Sequence, residues 1–216
     1  MGHLSRRADA WFAPVMTRRR FHVTVGSMPI PLLLAFLLLL GSPALAQPQQ
    51  SLKLSGQART GEDVRVVRFA FLCSANAGPN VTGALGVELF VPVHGSLRGT
   101  FDFDAFQGPD ARAGRLTQLE TTGPAATTRL RTMVSGWIGV DADAPFAFGL
   151  SAARRRDETR LREVSRLLAP LTSGAAQLVW TQGNARPQGP SIVARLDVSP
   201  EDSARLRTLL APCLAR

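Results

Sequence analysis

Residues 64–73 read VRVVRFAFLC. β-Branched and aromatic side chains dominate the stretch, and no Gly, Pro, Asn or Asp interrupts it, which is the composition of a strand. Similar runs lie on both sides of it. Leu85, Val87, Leu89 and Val91 alternate on one strand face, and Leu97, Phe101 and Phe103 read the same way. Arg115–Glu120 and Thr128–Ile138 are further strands; in the second, Leu130, Thr132, Val134, Gly136 and Ile138 share a face. Phe146, Phe148 and Leu150 form a short one. Ser51–Arg59 alternates weakly upstream. Gly78-Pro79, Gly108-Pro109 and Gly123-Pro124 break the series. Short alternating runs with such breaks predict an antiparallel meander or a sandwich-like core.

The periodicity changes near Ala152. Leu161, Val164, Leu167 and Leu168 form one stripe of a helix, with Glu158 and Arg162 at i,i+4 in the favourable order. Pro170 ends it. Gln177–Thr181 and Ile192–Val198 read as strands joined by the loop QGNARPQGP. Ser199, Pro200, Glu201 and Asp202 then make a helix start: a cap, a proline at the first helical position and acids on the positive dipole end. Leu206, Leu209 and Leu210 are its apolar side. The fold class is therefore α+β, a mainly antiparallel sheet or sandwich-like core with two C-terminal amphipathic helices. Both helices end in Leu-Leu-Ala-Pro, at 167–170 and 209–212. Two copies are too few for a solenoid.

The first 46 residues read as an address. Leu32–Leu40 is LLLAFLLLL, and extended back to Met28 the apolar run is 13 residues. A membrane span needs about 20. Arg18, Arg19 and Arg20 precede the run, Gly41-Ser42-Pro43 breaks it, and Ala44-Leu45-Ala46 supplies the small residues of a cleavage site. The stretch resembles a bacterial signal peptide, with the cut expected between Ala46 and Gln47. Thr17–Phe21 resembles a twin-arginine export motif, while the very apolar Leu run suits the general secretory route. Met1, Met16 and Met28 are all possible starts. No Cys follows the cut, so no lipid anchor is expected there. Residues 47–216 are expected to form one exported domain, periplasmic or secreted, with no membrane span after cleavage.

Only Cys73 and Cys213 occur in the chain, and export permits a disulfide between them. Two Cys are too few for structural zinc. The leader takes two of the three His with it, leaving His94, expected at a surface turn. A lone His excludes multi-His metal sites, and no cofactor fingerprint is present. Gly149–Ala153 resembles a nucleophile elbow, but the fifth position is Ala and no His follows Ser151. Asn80-Val81-Thr82 is a glycosylation sequon, relevant only in a eukaryotic secretory route.

The chain carries a formal net charge of +9 and no Tyr, and its one Lys is Lys53, so nearly all the basic groups are Arg. An Arg excess of this kind fits a GC-rich bacterial genome. The charge is uneven. Residues 47–150 hold nine basic and nine acidic groups; residues 151–216 hold eleven and six. Arg154, Arg155, Arg156, Arg160, Arg162 and Arg166 are expected to offer a face to an anionic envelope component or a protein partner. Asp157, Glu158 and Glu163 interrupt it. The segment lacks the interleaved aromatics that stack on bases, so nucleic acid is not expected.

The reading that follows is a non-enzymatic exported binding or interaction module. One alternative is a carboxylate-dependent hydrolase of the cell envelope using Asp102, Asp104 and Asp110. In a strand the first two would share a face, although Phe101 and Phe103 claim the buried one. Asp141 and Asp143 form a second such pair. Another alternative is an envelope-structural protein held by its basic C-terminal face.

Overall fold

A computed structural model describes residues 50–76, 82–107, 115–139, 144–153 and 157–214. All of them belong to the unit Leu45–Arg216. The expected cleavage pair Ala46 and Gln47, Arg154–Arg156, Asp110, Asp141, Asp143 and the first two residues of the sequon lie outside the described residues.

Nine strands form one sheet. They are β1 (Gln50–Thr60), β2 (Asp63–Asn76), β3 (Thr82–Val91), β4 (Thr117–Thr122), β5 (Thr127–Thr132), β6 (Ser135–Ile138), β7 (Phe146–Ala153), β8 (Ala176–Gln182) and β9 (Ile192–Val198). Their order is β5-β4-β8-β9-β1-β2-β3-β7-β6, and every ladder is antiparallel. Two helices follow strands of this sheet: α1 (Glu158–Leu168) after β7 and α2 (Pro200–Leu210) after β9. The core is thus one sheet with helices, not two facing sheets.

The opposite edges of this sheet are consecutive in the chain. β5 ends at Thr132 and β6 begins at Ser135, and three residues of extended chain span about 11 Å at most. Nine strands can satisfy that only by curling, so the sheet is a half-barrel. The expected single strand over Thr128–Ile138 is therefore two, broken at Met133 and Val134. The shared alternation hid the break, because both strands keep the same parity toward the core.

The concave face is the core. β9 alternates strictly between buried and exposed residues, with Ile192, Ala194, Leu196 and Val198 inward. Register places Phe69 beside Leu54 and Leu89, and Phe71 beside Val87. Leu161, Val164, Leu167 and Leu168 of α1 are buried against this face, as are Leu206, Leu209 and Leu210 of α2. α1 packs on β7 and β5, and α2 on β2 and β1. A bridge between Cys73 on β2 and Cys213 just after α2, Cα atoms 5.8 Å apart, ties the second helix to the sheet.

The segment after β3 is not the expected strand. It forms short 3-10 turns at His94–Leu97 and Asp104–Phe106. Phe101, Phe103 and Phe106 are all buried there. Phe103 meets Phe146 at 4.7 Å between ring centroids, and Phe106 meets Phe148 edge-on at 5.3 Å. Aromatic burial at one end of the half-barrel produced the strand-like spacing without a ladder.

Candidate functional site

The β4–β5 hairpin turns at Gly123–Ala126, closed by the Gly123 N–H donating to the Ala126 carbonyl at 3.0 Å. This turn lies on the 3-10 turn Ala169–Thr172 that ends α1. A side chain at Gly123 would sit 2.8 Å from Pro170 Cβ and 3.1 Å from its carbonyl oxygen, so the approach requires glycine. The far side of the 3-10 turn is held by α2: Arg207 Nε donates to the Thr172 carbonyl at 2.7 Å, and Gly174 N–H to buried Ser203 Oγ at 2.8 Å.

Between hairpin and helix end lies an open groove of about 540 Å³. Pro124, Ala125, Ala126, Ala169 and Pro170 give it carbon-rich walls; Thr127, Thr128 and Ser173 supply hydroxyls. Two cations line it, Arg129 from β5 and Arg166 from α1, and no carboxylate does among the described residues. Arg129 is matched by Glu120, at 2.6 Å from Nε to Oε2 across the β4–β5 ladder. That hydrogen bond holds the Glu120 carboxyl below its ordinary range and raises Arg129. Arg166 is exposed and has no ion pair among the described residues.

The other expected arginines separate. Arg162 is exposed and forms no ion pair with Glu158. Arg160 donates to the Met133 carbonyl at 3.1 Å, and its Nε is buried without a partner. It therefore clasps the β5–β6 crossing and does not extend the exposed face. Of the described members of that face, only Arg166 reaches the groove.

The carboxylate candidates do not share a strand face. Asp102 Oδ1 accepts from the Ala105 N–H at 3.2 Å, and Asp104 Oδ1 from Gln107 Nε2 at 3.4 Å. Both carboxylates are engaged in organising the turn. Ser151 lies within β7, opposite Gly86, and not at a strand-to-helix turn. Among the described residues, no three His, Cys, Asp or Glu side chains gather as a metal site.

His94 is buried, contrary to its expected place at the surface. Its ring lies edge-on to Phe103 at 5.5 Å, and Nε2 faces Arg98 Nη2 at 3.4 Å. Burial lowers its pKa, the Arg98 guanidinium lowers it further, and a hydrogen bond to the Ala144 backbone opposes them. A neutral imidazole accepting from Arg98 satisfies this geometry. Val93, just before it, has φ 51°, a left-handed conformation costly for a β-branched residue. Its carbonyl accepts from Arg65 Nη1 at 3.1 Å and from Ser96 Oγ at 2.9 Å.

Sequence reasoning missed one organising residue. Asn184 Nδ2 donates to the carbonyls of Thr100 at 2.7 Å and Pro190 at 3.2 Å, while its Oδ1 accepts from the N–H groups of Asp102 and Arg186. Arg186 adds bonds to the Gly99 and Arg98 carbonyls. Two of the Asn184 partners, Thr100 and Asp102, lie more than 80 positions away, so only the polar Gly-Asn-Ala-Arg loop composition hinted at its role.

No protein-family model, no curated protein and no solved structure matches this chain. Among the described residues, no helix is long and apolar enough to cross a membrane.

Proposed function

We propose that residues 47–216 are an exported, non-enzymatic binding module whose ligand site is the groove between the β4–β5 turn and the end of α1. The observation that carries the reading is the groove's makeup: carbon-rich walls, two cations, and an Arg166 with no carboxylate partner among the described residues. Small-molecule sites combine apolar walls with few polar groups in this way. The Cys73–Cys213 bridge supports export, because disulfides persist in oxidising compartments. The leader pattern and the Ala44-Leu45-Ala46 site support the same route. Asp102 and Asp104 spend their carboxylates on turn hydrogen bonds, which weighs against the hydrolase.

The test has two parts. The chain is expressed in a bacterium and recovered from the periplasm or medium; a mass beginning at Gln47 is expected, and an intact N-terminus in the inner membrane overturns export. The recovered protein is then incubated with small-molecule extracts of cell envelopes and examined by native mass spectrometry. Adducts present on the wild type and absent from Ala126→Trp, which fills the groove, are expected. Identical spectra overturn the groove as the site.

A further inference from the structure

Resting on that reading of the groove, we infer that its ligand is an anionic amphiphile: a single apolar chain ending in one carboxylate or phosphate group. Three features of the lining lead there. Arg129 already spends its charge on Glu120, so the cation left for a ligand is Arg166. A guanidinium offers several N–H donors in a planar fork, which fits a carboxylate or phosphate. The remaining surface is Pro and Ala carbon, with hydroxyls only at Thr127, Thr128 and Ser173.

That sparse polarity favours a hydrocarbon chain over a peptide. A bound peptide brings a backbone donor and acceptor at nearly every residue, and those turned onto the Pro and Ala wall lose water without gaining a partner. A hydrocarbon chain needs none and gains from every apolar contact. The groove is also open, so the charged head stays wet at Arg166 while the chain lies along Pro124–Ala126 and Pro170. An exposed pair of this kind is worth little alone, so the head selects among ligands and the apolar walls supply most of the affinity.

The experiment titrates the chain, recovered from the exporting host, with dodecanoate, dodecyl phosphate, dodecanol and tetraglutamate. All are kept below micelle-forming concentration and followed by calorimetry. Dodecanoate and dodecyl phosphate are expected to bind about fivefold more tightly than dodecanol. Arg166→Gln should erase that difference and leave dodecanol unchanged, and added salt should shrink it. Ala126→Trp should abolish binding of all three chains. Ala126 and Ala169 are both exposed, so Ala169→Phe provides a second groove-filling variant that should fold. Equal binding of dodecanol and dodecanoate overturns the charge selection and leaves the groove standing as a site. Tighter binding of tetraglutamate than of dodecanoate overturns the amphiphile in favour of an acidic peptide. Undiminished binding in both filled variants, or no binding by the wild type, overturns the groove itself.

Discussion

Val93 and His94 are adjacent residues held in place for opposite reasons. Val93 is exposed with φ 51°, so its side chain contributes strain and no burial. Val93→Gly removes that strain and should stabilise the protein by about 1 kcal/mol, since the left-handed penalty exceeds glycine's entropic cost; urea denaturation measures it. His94 is buried neutral, with its pKa depressed by burial and by Arg98. As pH falls below the ordinary value near 6.5, the unfolded chain takes up a proton that the folded site resists. The unfolded state then binds more protons, and stability falls with pH. The melting temperature of the wild type should drop between pH 8 and pH 5, and His94→Phe should flatten that dependence. An unchanged slope would assign the dependence to other groups. Gly136 shows the opposite sensitivity. An added Cβ would meet Phe146 Cζ at 2.6 Å and Phe106 Cβ at 2.9 Å. Gly136→Ala should cost about 1–3 kcal/mol through overpacking, readable as a lower denaturation midpoint.

At the scale of elements, most strands announce themselves and the connections between them do not. β9 presents one face to the core and one to water, β3 follows from the alternation of Leu85, Val87, Leu89 and Val91, and β2 follows from its β-branched and aromatic composition. α2 begins as its cap residues require: Ser199 Oγ accepts from the Asp202 N–H at 3.0 Å. α1 is capped by Asp157, which accepts from the Arg160 N–H at 2.8 Å. The β8–β9 loop is instead organised by Asn184, which bonds Arg186 and Pro190 within the loop and Thr100 and Asp102 in the segment after β3. Asn184→Ala removes four hydrogen bonds at once and should destabilise the protein by about 1–3 kcal/mol. Amide exchange should accelerate first at Asp102 and Arg186, the two N–H groups that lose their acceptor. Uniform acceleration across the sheet would mean that the clasp does not act locally.

For the molecule as a whole, the Cys73–Cys213 bridge joins residues 140 positions apart and closes β3 to β9 into one loop. Chain-entropy reasoning assigns such a loop roughly 5 kcal/mol. Replacing both cysteines with Ala should lower the melting temperature by roughly 10–20 °C for a chain of this size. A loss of only a degree or two would show that α2 stays docked through Leu206, Leu209 and Leu210 and the Ser203 and Arg207 bonds alone.

Read alone, the sequence determined the α+β class, the buried faces of β3 and β7, both helices and the cysteine pairing. These are local or exhaustive readings: periodicity needs only neighbours, caps need four residues, and two cysteines have one partner each. Tertiary structure alone decided that the strands make one curled sheet, that Phe101, Phe103 and Phe106 fill its end from turns, and that His94 is buried among them. The groove belongs to the same class. Arg166 was legible as part of a basic helix face, but Gly123–Ala126 read only as a turn between strands. Its position against Pro170 depends on the β4–β8 ladder and on the seating of α1, contacts between residues some 50 positions apart that no local pattern encodes.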